Sequence, residues 1–150
     1  MSLYIAGYDI SLQSANGIAF EIYFAGCPMV PKCKGCHNPE LWEPFENFSE
    51  EEILKAIDER KEFLDYVVLM GGEPLGIRDL NVLYDFISLI RVTYPDLMIK
   101  LYSGYNKKQI EEDPLKLKIL SICDEWFLGP YNPDKPKLFE KNNVTVNKKC

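Results

Sequence analysis

Apolar positions along this chain alternate between two periods. From Ile18 to Phe24 every second residue is apolar, the pattern of a half-buried strand, and the run stops at Ala25-Gly26. Tyr66-Val67-Val68-Leu69-Met70 is instead a continuous run of strand formers, which suits a parallel sheet covered on both faces. Further strand-like segments occupy 97–102 and the stretch around 125–128. Between them the spacing lengthens to that of helices. Ser49-Glu50-Glu51-Glu52 has the S-x-x-E form of a capping box and opens a helix that turns Ile53, Leu54 and Ile57 inward. Asp79 can cap a second helix carrying Leu80, Leu83, Tyr84, Ile87 and Ile90. A third helical stretch follows residue 105 and is broken at Pro114. Residues 38–48, with Pro39, Trp42, Pro44, Phe45 and Phe48, predict irregular chain.

Strands alternating with helices imply an α/β fold with a mostly parallel sheet. In such sheets ligands bind at the carboxyl ends of the strands. Four predicted strands run into Gly26-Cys27, Gly71-Gly72-Glu73-Pro74, Ser103-Gly104-Tyr105 and Gly129-Pro130-Tyr131, so every unusual loop is expected on one rim. The 150 residues suffice for one domain, 1–150, with its own core.

The formal charge of -6 argues against nucleic acid as a partner, because phosphate contacts need a basic surface. The basic pairs Lys107-Lys108 and Lys148-Lys149 are short and read as solvated surface. No apolar run approaches the ~20 residues of a membrane span, and no signal-peptide pattern opens the chain, so a cytoplasmic protein without membrane contact is expected. In that compartment cysteines stay reduced, and a metal site becomes the expectation for clustered thiols.

Three of the five cysteines, Cys27, Cys33 and Cys36, fall within ten residues, followed by His37. Pro28 and Pro31 stiffen this loop, and Gly35 lets backbone pass close to whatever the thiols hold. Thiolates select zinc, Cu(I) or iron-sulfur clusters. Structural zinc wants four ligands, and adjacent Cys36 and His37 are poorly placed to share one ion. Three thiolates suggest an iron-sulfur cubane with one iron open to a cofactor. Two blander readings stand beside this: a zinc-stapled interaction loop and a Cys33-x-x-Cys36 redox dithiol. Glu73, beside two glycines that admit close backbone approach, offers a carboxylate suited to an ammonium group. Cys123 reads as a small buried hydrophobe, and Cys150 has no assigned role. Glu21 and Lys100 interrupt strands; either solvent exposure or pairing near the rim fits them.

Taken together, Gly26-Cys27, Cys33-x-x-Cys36-His37-Asn38, Trp42, Gly71-Gly72-Glu73-Pro74-Leu75, Ser103-Gly104-Tyr105 and Leu128-Gly129-Pro130-Tyr131 resemble the radical S-adenosylmethionine superfamily. Within it the chain is similar to the small activating enzymes of anaerobic ribonucleoside-triphosphate reductase. The resemblance implies a small partial (β/α) barrel and a 4Fe-4S cluster on Cys27, Cys33 and Cys36. It also implies S-adenosyl-L-methionine bound by Gly35, Cys36, His37, Gly71, Gly72, Glu73 and Ser103. The implied reaction is reductive cleavage of that cofactor to methionine and a 5'-deoxyadenosyl radical, which makes a glycyl radical on the partner reductase. The electron would come from a donor such as flavodoxin or ferredoxin, and no side chain need act as acid or base. Other outcomes for such a chain are a different glycyl-radical enzyme or a small molecule of the deazapurine type as target. Two features depart from the pattern. The loop reads C-x5-C-x2-C where relatives have C-x3-C-x2-C, and alignment on Gly26-Cys27 treats two residues as inserted. Ala19 stands where relatives often carry arginine.

Overall fold

The computed structural model describes residues 3–28, 41–76 and 78–129. Five strands make one sheet in sequence order: β1 (Ile5–Ser11), β2 (Ala19–Phe24), β3 (Tyr66–Gly71), β4 (Met98–Ser103) and β5 (Glu125–Leu128). β2 to β5 are mutually parallel, while β1 lies antiparallel on the outer side of β2. The four parallel strands are those the periodicity predicts, within a residue or so at their ends. β1 is the element the pattern does not reveal, because Gly7 and Asp9 interrupt its apolar residues. As an edge strand it needs little apolar character of its own, and a register irregularity falls between Ile5 and Gly7.

The crossovers are helical, as parallel neighbours require. α1 (Glu50–Asp58) follows the capping box: Ser49 Oγ accepts from the Glu52 amide at 3.1 Å, and the Glu52 carboxylate accepts from the Ser49 amide at 2.9 Å. α2 (Leu80–Thr93) is capped by Asp79, whose carboxylate accepts from the Asn81 amide at 2.9 Å. The third stretch divides at the predicted point. α3 (Lys107–Glu111) ends before Asp113, which caps α4 (Pro114–Ser121), and Pro114 takes the first turn, where its missing N–H costs nothing. The described part of the aromatic stretch, from Leu41 to Phe48, is irregular as expected and is tied to β1 by amides of Asn47 and Phe48 donating to the Ile5 carbonyl.

Alternate residues of the strands face opposite ways. Phe20, Ile22, Phe24, Val67, Leu69, Ile99 and Leu101 meet Ile53, Ile57, Leu83, Ile87, Ile90 and Ile119 from the helices, forming the main core. Each such side chain contributes about 1.5–3 kcal/mol on burial. Cys123 belongs to this core as a small hydrophobe; its thiol approaches the Ile119 carbonyl at 3.4 Å, and burial pushes its pKa up to about 12. The second face carries Ala19, Tyr66, Val68, Met70 and Tyr102, with Tyr23 and Phe127 alongside.

Glu21 and Lys100 belong to that second face and are buried, at 5% and 2% exposure, so solvent is not where they point. Strand register sets Glu21 beside Val68, Val68 beside Lys100, and Lys100 beside Glu125, one row across four strands. The Lys100 ammonium donates to the Ser14 carbonyl at 2.6 Å and lies 4.3 Å from the Phe127 ring centroid. Tyr66 donates to Glu125 at 2.9 Å, and Tyr23 donates to Glu21.

Candidate cluster and cofactor site

The carboxyl ends of β2, β3 and β4 meet in one hydrogen-bonded knot. As β2 ends, the Ala25 amide donates to the Tyr4 carbonyl at 2.7 Å, the Gly26 amide to Leu41 at 2.7 Å and the Cys27 amide to Trp42 at 2.9 Å. The chain entering and the chain leaving the cysteine loop are therefore paired at its base. Cys27 lies there at 3% exposure. Cys33, Gly35, Cys36 and His37 fall outside the described residues. Among the described residues no group of three His, Cys, Asp or Glu side chains could hold a metal ion, as expected when two of the three proposed ligands lie beyond them.

The loop after β3 packs against this base. The Gly72 amide donates to Phe24 at 2.6 Å and the Glu73 amide to Gly26 at 3.0 Å. Both glycines are required by chain packing alone. A Cβ on Gly71, at φ +112°, would lie 2.5 Å from the Phe24 amide nitrogen; one on Gly72 would lie 2.6 Å from the Leu41 carbonyl oxygen and 2.8 Å from that of Gly26. The Gly-Gly pair thus lets two rim loops touch each other.

Glu73 is 1% exposed and both its oxygens are engaged. Oε1 accepts from the Gly104 amide at 2.6 Å; Oε2 accepts from Ser103 Oγ at 2.8 Å and from the Leu75 amide at 3.2 Å. Ser103, which the sequence proposes as a contact for the cofactor, therefore meets Glu73 directly, and this carboxylate fastens the β3 loop to the β4 loop. Such charge-assisted bonds are among the stronger ones a side chain makes. The Ser103-Gly104-Tyr105 turn is held further by the Tyr105 amide on Ser103 Oγ, 3.1 Å, and by the Gly129 amide at the end of β5 on the Tyr105 carbonyl, 2.8 Å. Burial raises the Tyr105 pKa, and the nearness of Glu73 and Cys27 raises it further, so the phenol sits on the same rim as both.

Cys27, Gly71, Gly72, Glu73 and Ser103 are thus brought together, and the sequence-based grouping of loops on one rim holds for the described part. Arg78 was not among the residues that motif reading selects. Its guanidinium reaches the carbonyls of Leu3, Ala25 and Glu73. The signal that would have pointed to it is weak: an arginine near the start of a helix, just after a Gly-Gly-Glu-Pro turn.

The sheet is mostly parallel, with helices packed on one face and Cys27 buried at its carboxyl rim. The chain superposes on the crystal structure of QueE from Escherichia coli with a TM-score of 0.57 at 18% identity, covering 87% of this chain and 72% of that one. The chain belongs to the family described as a 4Fe-4S single cluster domain, whose model matches residues 14–149. Among curated proteins it is similar to the anaerobic ribonucleoside-triphosphate reductase-activating protein of Pasteurella multocida, 27% identical over 88% of this chain and 85% of that protein. Proteins of the same name from Escherichia coli K12 and from Enterobacteria phage T4 are each 23% identical, over 85% and 86% of this chain and 83% and 81% of their own length. No described helix is long and apolar enough to cross a membrane.

Proposed function

We propose that this chain is a radical S-adenosylmethionine activating enzyme acting on anaerobic ribonucleoside-triphosphate reductase. The observation that carries the reading is the convergence of Cys27, Gly72, Glu73 and Ser103 on one rim, in a chain whose family is defined by a single 4Fe-4S cluster. Buried Cys27 at the paired base of its loop suits a cluster ligand, and thiolates are the donors such clusters take. In this reading Cys27, Cys33 and Cys36 hold the cluster. Gly35, Cys36, His37, Gly71, Gly72, Glu73 and Ser103 surround S-adenosyl-L-methionine.

Held by Cys27, Cys33 and Cys36, a 4Fe-4S cluster would supply the one-electron chemistry for reductive cleavage of the sulfonium, with a glycine of the partner as the hydrogen-atom donor. The protein's own part is binding and orientation. The Glu73 carboxylate, fixed by three donors, presents a negative charge at the rim while holding the Ser103-Gly104 turn in place. Below the rim, Met70, Tyr102 and Lys100 fill the second face of the sheet and are buried. A filled floor favours a substrate that reaches the rim from outside, such as a protein loop, over a small molecule enclosed within the barrel. The likeness to QueE is one of fold. The chain is read as a single cytoplasmic domain that receives electrons from a flavodoxin- or ferredoxin-type donor.

The experiment is anaerobic reconstitution followed by assay for iron, sulfide and cofactor cleavage, then mixing with the reductase and recording the glycyl-radical doublet by electron paramagnetic resonance. Iron and sulfide near four each per chain, cleavage on reduction, and the doublet are expected. Cofactor cleavage without the doublet would redirect the reading to another target; a colourless, zinc-loaded protein would end it. Cys27→Ala should abolish cleavage, and full turnover by that variant would show that the longer loop uses a different first ligand.

A further inference from the structure

The connection between β1 and β2, residues 12–18, is a strap across the second face of the sheet. Its middle reaches β4: the Ser14 carbonyl accepts from the Lys100 ammonium at 2.6 Å and from the Tyr102 phenol at 2.5 Å. β3 lies between β2 and β4 in the sheet, so the strap spans it. Ala15 packs on the same face, and the strap returns at Ile18, whose amide donates to the Asp65 carboxylate at 2.9 Å. One carbonyl thus fastens the strap to two alternate residues of a single strand.

Two polar atoms of this arrangement are left over. Ser14 Oγ and Glu125 Oε1 are buried, in residues 7% and 0% exposed, and neither has a hydrogen-bond partner among the described residues. Both belong to neighbours of one side chain, since Lys100 holds the Ser14 carbonyl and is the register partner of Glu125 across β4 and β5. Tyr66 occupies the other Glu125 oxygen, Oε2. Leaving two such atoms bare costs more than immobilising one small molecule that serves both. The pair also selects the molecule. A carboxylate oxygen only accepts, whereas a hydroxyl donates or accepts, so the molecule must carry a donor and can use an acceptor. An anion would meet the carboxylates of Glu125 and Glu21, and a metal ion would set a second positive charge beside the Lys100 ammonium. Water serves both atoms and adds no charge.

We propose that an ordered water molecule bridges Ser14 Oγ and Glu125 Oε1, extending the hold of the strap from β4 to β5. The site lies on the second face and does not depend on the cluster reading of the preceding section. It makes strap and floor one unit: the strap cannot lift without uncovering the Lys100 ammonium and both ends of the bridge.

The test is a crystal structure of the full chain at a resolution that shows ordered water, with and without thallium(I) in the crystal. Hydrogen exchange of the strap amides in solution accompanies it, for the parent and for Ser14→Ala. Density within hydrogen-bonding distance of both atoms is expected, with no anomalous signal from thallium there. Ser14→Ala should exchange its strap amides about threefold faster or more, while amides of β3 keep the parent rate. An empty gap, or a direct bond between Ser14 and Glu125, would overturn the inference. Thallium at that position would overturn it in favour of a cation site, and strap exchange unmoved by Ser14→Ala would show that the bridge does not hold the strap. Should the variant not fold, the parent crystal structure alone decides.

Discussion

The two faces of the sheet are built from the same strands, residue by alternate residue, yet follow opposite rules. Toward the helices, Phe20, Ile22, Leu69 and Leu101 sit in an entirely apolar layer whose contribution is non-directional. On the other side, Glu21, Lys100 and Glu125 lie in one register row beneath the rim, and all are buried. Charges taken from water are tolerated only when hydrogen-bonded or paired. Tyr23 donates to Glu21, Tyr66 to one oxygen of Glu125, and Lys100 to the Ser14 carbonyl, while the other Glu125 oxygen is buried without a hydrogen-bond partner among the described residues. The first face specifies that the chain folds; the second imposes directional demands on the floor below a site. The loop carrying Ser14, between β1 and β2, is part of that polar arrangement, since Tyr102 also donates to the Ser14 carbonyl at 2.5 Å.

If the contrast is right, truncation on the helix-covered face has the largest effect. Leu69→Ala, at a position with no exposure, should cost about 2–5 kcal/mol in chemical denaturation, because the packed helices close only partly over the gap. A loss below 1 kcal/mol would mean that this face is loosely packed and the comparison fails at its stronger end.

The polar face should respond to the pairing of substitutions more than to volume. Lys100→Met leaves Glu21 and Glu125 in one row with no cation between them and should cost about 1–3 kcal/mol. Adding Glu125→Gln removes one of those charges and keeps an acceptor for Tyr66, so the double variant should recover part of the loss. Coupling of about 0.5 kcal/mol or more in the double-mutant cycle is expected. Strict additivity would show that the row is a coincidence of register.

Much of this was legible in the sequence because it follows from local rules. The capping box at Ser49, the break at Pro114 and the continuous apolar run at 66–70 each have one physical meaning, and each names its element. The rim could be inferred because the parallel strands end in loops of unusual composition. β1 escaped notice because an edge strand draws its stability from pairing with β2, a contact that leaves no period in its own residues. The environments of Glu21 and Lys100 escaped for a related reason. Which side of a strand is buried shows in alternation, but a central parallel strand is buried on both, and whether a charge finds partners there depends on residues as distant as Ser14 and Glu125. Arg78 is the extreme case, since all its acceptors are backbone carbonyls and backbone carries no sequence signature.

The smallest effect expected from the contrast is a dependence on pH that separates the faces most cleanly. Burial lowers the Lys100 pKa to about 8, against an ordinary value near 10.5, while Glu125 opposes that shift. Below pH 8 the folded and unfolded chains both hold this proton, and the cost of burying the charge is present in full. Between about 8 and 10.5 the unfolded chain binds more protons, so the contribution of Lys100 to stability rises with pH, by at most about 1.4 kcal/mol per pH unit. Other groups run the opposite way. Cys123, with its pKa raised to about 12, and Tyr66, raised likewise to about 12, keep protons that the unfolded chain releases, so their contributions fall as pH rises above about 9 and 10 respectively. Burial raises Tyr23 and Tyr102 in the same sense. Those groups are common to the parent and to Lys100→Met, so the difference between their denaturation free energies from pH 7 to 10 isolates the lysine. That difference should be level up to about pH 8 and then climb in favour of the parent; a difference that stays level to pH 10 would place Lys100 in ordinary solvent and undo the distinction between the faces.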